Sequence, residues 1–167
     1  KDTINNISET DGKFYVLPEL RKTLSGSQCF AIREDIFKAN NIPEPETYED
    51  LFNALVKIKQ IYPDTLGVAD TYTMNMFMSF VAEAFNTNGG YSLPYGYSYH
   101  SENDEWYFAP SSNEYKTMLK YLNKLYVNKC LDAEAFTQDS KQYDQKILNS
   151  KYMVMTCNGP KDAVAKT

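Results

Sequence analysis

No run of about eighteen apolar residues occurs anywhere in this sequence, so no stretch of it can cross a membrane as a helix. Histidine is nearly absent: His100 stands alone in a Tyr-Ser-rich stretch. With one histidine, no nucleophile elbow, no metal-ligand spacing and no phosphate loop, the sequence holds no recognisable triad or cofactor site. Cysteine is scarce as well. Cys29, Cys130 and Cys157 are far apart and odd in number, which suggests neither a disulfide framework nor a zinc site, and small buried residues are the expectation. Basic residues are in the minority, 17 Lys and Arg against 22 Asp and Glu, and the lysines form no cluster. The net charge of -5 therefore argues against nucleic acid, whose phosphates need concentrated positive charge. The first ten residues are polar and lack the apolar core of a signal peptide.

What is present fits one soluble globular unit. A length of 167 residues can enclose a core, and 43% apolar with 23% charged residues is the usual globular balance. Aromatic residues are plentiful, with 14 Tyr and 9 Phe beside the single Trp106. Tyr joins an apolar face to a polar edge, which suits carbohydrate contacts, interfaces and half-buried core alike.

Phe14 to Leu17 reads as a short strand stopped by Pro18, and Ser27 to Arg33 as a second strand, followed by a helix over Glu34 to Asn40. Thr47 caps a clearer helix, with Glu49 and Asp50 at its positive end, Leu51, Leu55, Ile58 and Tyr62 at helical spacing, and Pro63 as its stop. Leu66 to Ala69 predicts a strand delivering the chain into a helix from Tyr72 or Thr73 to Phe85, which Asn88-Gly89-Gly90 closes. Tyr91 to Phe108 predicts a β-hairpin or elaborated loop. Ser111 with Glu114 reads as a capping box for a helix whose inner face carries Tyr115, Met118, Leu119, Leu122, Leu125 and Tyr126. A helix over Asp139 to Leu148 and a strand over Tyr152 to Thr156, ending at Asn158-Gly159-Pro160, complete an α/β pattern without repeats.

The order Asp11-Gly12-Lys13-Phe14-Tyr15-Val16-Leu17-Pro18, Ile32-Arg33-Glu34-Asp35, Asn41-Ile42-Pro43, the Thr47-capped helix, Asn88-Gly89-Gly90-Tyr91, Glu114-Tyr115-Lys116, Lys120 to Tyr126, Asp132 to Asp139 and Asn158-Gly159-Pro160 resembles the second lobe of family-1 extracellular solute-binding proteins, the maltose-binding type included. The blocks Glu114-Tyr115-Lys116, Lys120 to Tyr126 and Asp132 to Asp139 are frequent in lipoprotein members from Gram-positive bacteria. No single motif is diagnostic; their co-linearity over residues 11 to 162 carries the resemblance. It implies an α/β, periplasmic-binding-protein-like lobe with its sheet flanked by helices. Residues 1–26 would be a hinge-proximal segment and crossing strand, and residues 27–167 the second lobe, incomplete at its C-terminal end. It also implies capture of a solute, foremost an oligosaccharide, between two lobes and delivery to the permease subunits of an ABC importer. The location implied is extracellular, by a lipid anchor outside this chain, with no cofactor, no metal and no catalysis.

In the maltose-binding relatives, aromatic side chains at the start of the helix before Gly-Gly-Tyr and just after Asn-Gly-Pro stack on sugar rings. The matching positions here are Tyr72, Thr73, Met74 and Asn75, and then Lys161. Tyr72 would stack, Asn75 would donate and accept hydrogen bonds, and Lys161 favours a solute carrying an anionic group. Glu19 and Arg21 are placed near the hinge, the Arg offering a planar fork for a carboxylate, with a mutual ion pair as the alternative. Asn158 is expected to shape the crossing from strand to helix and secondarily to touch solute. Trp106 is expected to pack against the lobe.

Two other classes stay open at this level. A surface module for protein contacts would use the Tyr-rich 91–107 region. A glycoside-active enzyme would need a carboxylate pair such as Asp132 and Glu134, whose separation the sequence does not fix.

Overall fold

The computed structural model describes residues 8–16, 28–70, 73–93 and 96–159. Ten elements matter here: β1 (Cys29–Ile32), α1 (Glu34–Ala39), α2 (Tyr48–Ile61), β2 (Gly67–Ala69), α3 (Asn75–Ala84), β3 (Tyr97–His100), β4 (Glu105–Phe108), α4 (Asn113–Val127), α5 (Ser140–Leu148) and β5 (Tyr152–Cys157). The main sheet has the order β1-β5-β2, with the last strand of the chain at its centre. β5 runs antiparallel to β1 and parallel to β2. The register pairs Cys29 with Cys157 and Ile32 with Val154 on one side of β5, and Ala69 with Met155 on the other. β3 and β4 form a separate antiparallel hairpin.

Local chemistry sets the helix starts. Thr47 Oγ1 accepts from the Asp50 amide while the Asp50 carboxylate accepts from the Thr47 amide, a reciprocal box that satisfies amides otherwise left open at the first turn. Asp139 and Gln142 repeat the arrangement at α5. At α4 the capping residue is Ser112, whose hydroxyl accepts from the Tyr115 amide. Ser111, predicted for that role, lies in a 3-10 turn and donates to the Phe108 carbonyl instead.

The sheet is covered on both faces, because alternate residues of its strands point to opposite sides. Val68 and Val154 join Leu51, Leu55 and Ile58 of α2, Phe77 and Val81 of α3, and Met118, Leu122 and Leu125 of α4 in the larger cluster. Ala69 and Met155 pack on the other side with Tyr143 and Ile147 of α5. This is the predicted α/β layering. Within α4 the inner face is shifted: Tyr121 is buried and its hydroxyl donates to the Tyr48 carbonyl at 2.8 Å, whereas Leu119 and Tyr126 are exposed.

Other differences are small in extent and clear in cause. Phe14 forms a single bridge with Ser8 rather than a strand, and Leu17 and Pro18 lie outside the described residues. α3 ends at Ala84, before the predicted Asn-Gly-Gly stop, and Asn86 adopts the left-handed conformation that turns the chain. Among the described residues, no helix is long and apolar enough to cross a membrane.

Candidate functional site

The topology gathers the candidate segments at one edge of the main sheet. β2 and β5 are parallel, so their carboxyl ends share an edge, and the antiparallel β1 begins at that same edge, where Cys29 faces Cys157. In open α/β sheets, the ground beyond the carboxyl ends of parallel strands is where ligands bind. Asp70, Thr73, Met74 and Asn75 follow β2 there, and Asn158 and Gly159 follow β5.

The turn after β2 is built with strain. Thr73 and Met74 both have positive φ, 52° and 67°, in the left-handed region that costs non-glycine residues energy and clusters at binding sites. Two anchors hold it. Asp70, fully buried, accepts the Phe77 amide at 2.8 Å and so takes over the capping role that the Met74 side chain lacks. Gly90 lies so close that a Cβ there would stand 1.9 Å from the Asn75 carbonyl oxygen. The Ser79 hydroxyl sits 2.9 Å from that same oxygen and 3.0 Å from the Gly89 carbonyl, joining the helix start to the Gly-Gly segment.

Thr73 is exposed at this edge and Asn75 half-buried, with the Asn75 Nδ2 3.4 Å from the Thr73 Oγ1. Asn158 is also exposed at the edge. Met74 is a correction: its side chain is wholly enclosed in the larger core cluster, where an unbranched thioether fills the space beneath the turn, and it presents no surface to a solute. Glu19, Arg21, Tyr72 and Lys161 lie outside the described residues. Asp70 and Ser79 do not stand out in the sequence, and Gly90 reads there only as part of a helix stop. The Asp before a helix was the available signal, masked because its acceptor role skips seven residues to Phe77.

A second surface is the β3–β4 hairpin. Tyr97 lies opposite Phe108 and Tyr99 opposite Trp106, which puts four aromatic rings on one face. Their ring centroids are 5.8 Å and 5.2 Å apart within the two pairs. Trp106 is 69% exposed, so it does not pack against the lobe as predicted; on this two-stranded ribbon it pairs across the strands with Tyr99 instead. The Tyr99 hydroxyl donates to Asp104 at 2.6 Å, and that bond holds its proton above the ordinary tyrosine range. The hairpin is tied by Tyr107 and Asn88 to the turn after α3, about 15 Å of helix away from the α3 start.

The acidic pair Asp132 and Glu134 shares a single lysine. Lys146 Nζ lies 2.7 Å from an oxygen of each, and the Tyr152 hydroxyl donates to Asp132 at 2.6 Å. Burial pushes the Asp132 carboxyl up, but the hydrogen bonds from Lys146 and Tyr152 outweigh it and hold the group below the usual carboxylate range. Among the described residues, no group of His, Cys, Asp and Glu is placed to hold a metal ion.

A sheet with helices on both faces is a fold that this chain shares with solved solute-binding proteins of ABC transporters. The Streptococcus pneumoniae ABC-transporter substrate-binding protein FusA, solved in complex with kestose, matches with a TM-score of 0.70 and 21% identity over 98% of this chain and 35% of its own. An extracellular solute-binding protein from Bifidobacterium longum subsp. infantis matches with a TM-score of 0.76 and 22% identity, covering 99% of this chain and 37% of its own. In sequence, the polygalacturonan/rhamnogalacturonan-binding protein YtcQ of Bacillus subtilis (strain 168) is 27% identical over 148 residues, 85% of this chain and 29% of its own length. The chain thus spans about a third of the length of these relatives. No family model matches it.

Proposed function

We propose that this chain is the second lobe of an extracellular capture protein for an ABC importer, with residues 1–26 near the hinge and residues 27–167 forming the lobe. The observation that carries the reading is the convergence of the β1 start, the β2 end and the β5 end on one sheet edge, with Thr73 and Asn75 in the strained segment that follows β2 and Asn158 following β5. A hinge closing the first lobe over that edge would complete the site. The solute class is an oligosaccharide, in keeping with the kestose held by FusA and the polysaccharides in the name of YtcQ. Tyr72 would stack on a ring, Thr73, Asn75 and Asn158 would hydrogen-bond hydroxyls, and Glu19, Arg21 and Lys161 would set the preference for charge. The further parts of the reading are binding without turnover, a permease as the downstream partner, and a lipid anchor on a Gram-positive cell surface.

Amide NMR of the chain, titrated with neutral and acidic oligosaccharides, tests this. Half a cleft supplies half the contacts, so the titration extends to millimolar saccharide. Shifts centred on Thr73 to Asn75 and Asn158 to Lys161 are expected, and the saccharide producing them identifies the solute class. Shifts confined to residues 97–108 would overturn the assignment in favour of the second reading, a contact module using the four exposed rings of the hairpin. Appearance of cleaved saccharide would overturn binding without turnover.

A further inference from the structure

We infer that Cys29 and Cys157 are a disulfide-forming pair, a covalent modification site that closes the sheet at its candidate binding edge. The two residues are directly opposite in the β1–β5 register, and their Sγ atoms lie 3.3 Å apart. The Arg33 amide donates to the Met153 carbonyl at 2.9 Å, four residues along on each strand. Alternation therefore makes Cys29 and Cys157 a hydrogen-bonded pair, the kind with Cα atoms about 5.5 Å apart, which is close to the commonest separation of bridged cysteines. The two sulfurs are already in contact across the strand pair. Cys130 does not compete. It is buried at the end of the segment after α4, its thiol lies 3.5 Å from the Asn128 carbonyl, and burial pushes its proton affinity up, away from the reactive thiolate.

The reaction is thiol–disulfide exchange with a low-molecular-weight disulfide, RSSR. Cys29 is half-buried and Cys157 buried, so reagent meets Cys29 first. The Cys29 thiolate attacks one sulfur of RSSR, forms a mixed disulfide and releases RS⁻; the Cys157 thiolate then attacks the Cys29 sulfur and expels the second RS⁻. The protein's two thiol protons end on two RSH, and RSSR is the oxidant reduced. The bridge spans 128 positions of sequence, enclosing every described element from β1 to β5 in one covalent ring.

The test is to incubate the full chain with oxidised glutathione, block remaining thiols under denaturing conditions, and map peptides by mass spectrometry. A Cys29–Cys157 linked peptide, two hydrogens lighter than the reduced pair, with Cys130 alkylated, is expected. The Cys157→Ser variant should stop at a glutathione adduct on Cys29. Should that variant not fold, Cys130→Ser, altered away from the pair, must still form the same link. A lasting adduct on Cys29 of the unaltered chain with Cys157 alkylated, or links that join Cys130 or two molecules, would overturn the proposal.

Discussion

At the scale of single residues, the candidate site depends on groups that touch no solute. Gly90 is the sharpest case, because its φ of 56° and the 1.9 Å approach of its absent Cβ to the Asn75 carbonyl exclude any side chain. Gly90→Ala should cost about 1–3 kcal/mol in urea unfolding, through steric displacement and left-handed strain together. It should also move the amide resonances of Asn75 and Met76. Gly12→Ala is the control: φ there is 74°, but no atom lies within 4 Å of the added Cβ, so about 1 kcal/mol of backbone strain is the ceiling. Equal losses from the two changes would show that Gly90 is not a buttress for the helix start. The pairing of Gly90 with Asn75 was not legible in the sequence, where the Gly-Gly step reads as a helix stop. The close approach arises from the chain doubling back along α3, a tertiary fact without a local signal.

At the scale of elements, legibility followed the locality of the chemistry. The Thr47 cap, the short β1 and the β5 strand are set by residues within a few positions of one another and were readable, although the reciprocal bond from the Thr47 amide to Asp50 was not. The phase of α4 was less so, because Leu and Tyr occur on both of its faces. Tyr121 becomes the buried one because its hydroxyl finds the Tyr48 carbonyl, whereas Leu119 and Tyr126 remain in solvent. The strand order β1-β5-β2 cannot be read from periodicity, and with it the edge where the candidate residues meet. The hairpin gives a prediction at this scale. With Trp106 69% exposed and in contact with Tyr99 across the ribbon, Trp106→Ala should change stability by no more than about 0.5–1 kcal/mol, the worth of one exposed aromatic pair. A loss of several kcal/mol in chemical denaturation would restore the packing role expected from the sequence.

At the scale of the whole molecule, the sheet is held to α5 by a small apolar cluster and by the polar knot of Asp132, Lys146, Gln138 and Tyr152. The Lys146 ammonium has its own proton affinity lowered by burial, but the bonds to Asp132 and Glu134 more than reverse this and raise it. Tyr152 is raised chiefly by burial and further by its bond to Asp132, and Tyr48 is pushed up to about 12, chiefly by burial. The signs follow from linkage. Asp132, depressed in the fold, contributes stability that is present above the unfolded carboxylate value of about 4 and lost as pH falls through the folded value. Lys146 and the two tyrosines, raised in the fold, contribute stability that is complete below about pH 10 and lost as pH rises further. The urea midpoint should therefore be flat from about pH 5 to 9 and fall on both sides. Lys146→Met leaves the nearly buried Asp132 carboxylate with Tyr152 but without its cation, and should cost about 2 kcal/mol on the plateau, below the full value for a buried pair because the lysine retains solvent contact. Without Lys146 the Asp132 carboxyl rises, so the variant's acid slope should become shallower relative to its own plateau. An unchanged acid slope in Lys146→Met would show that other carboxylates, not the Asp132 knot, govern acid unfolding of this chain.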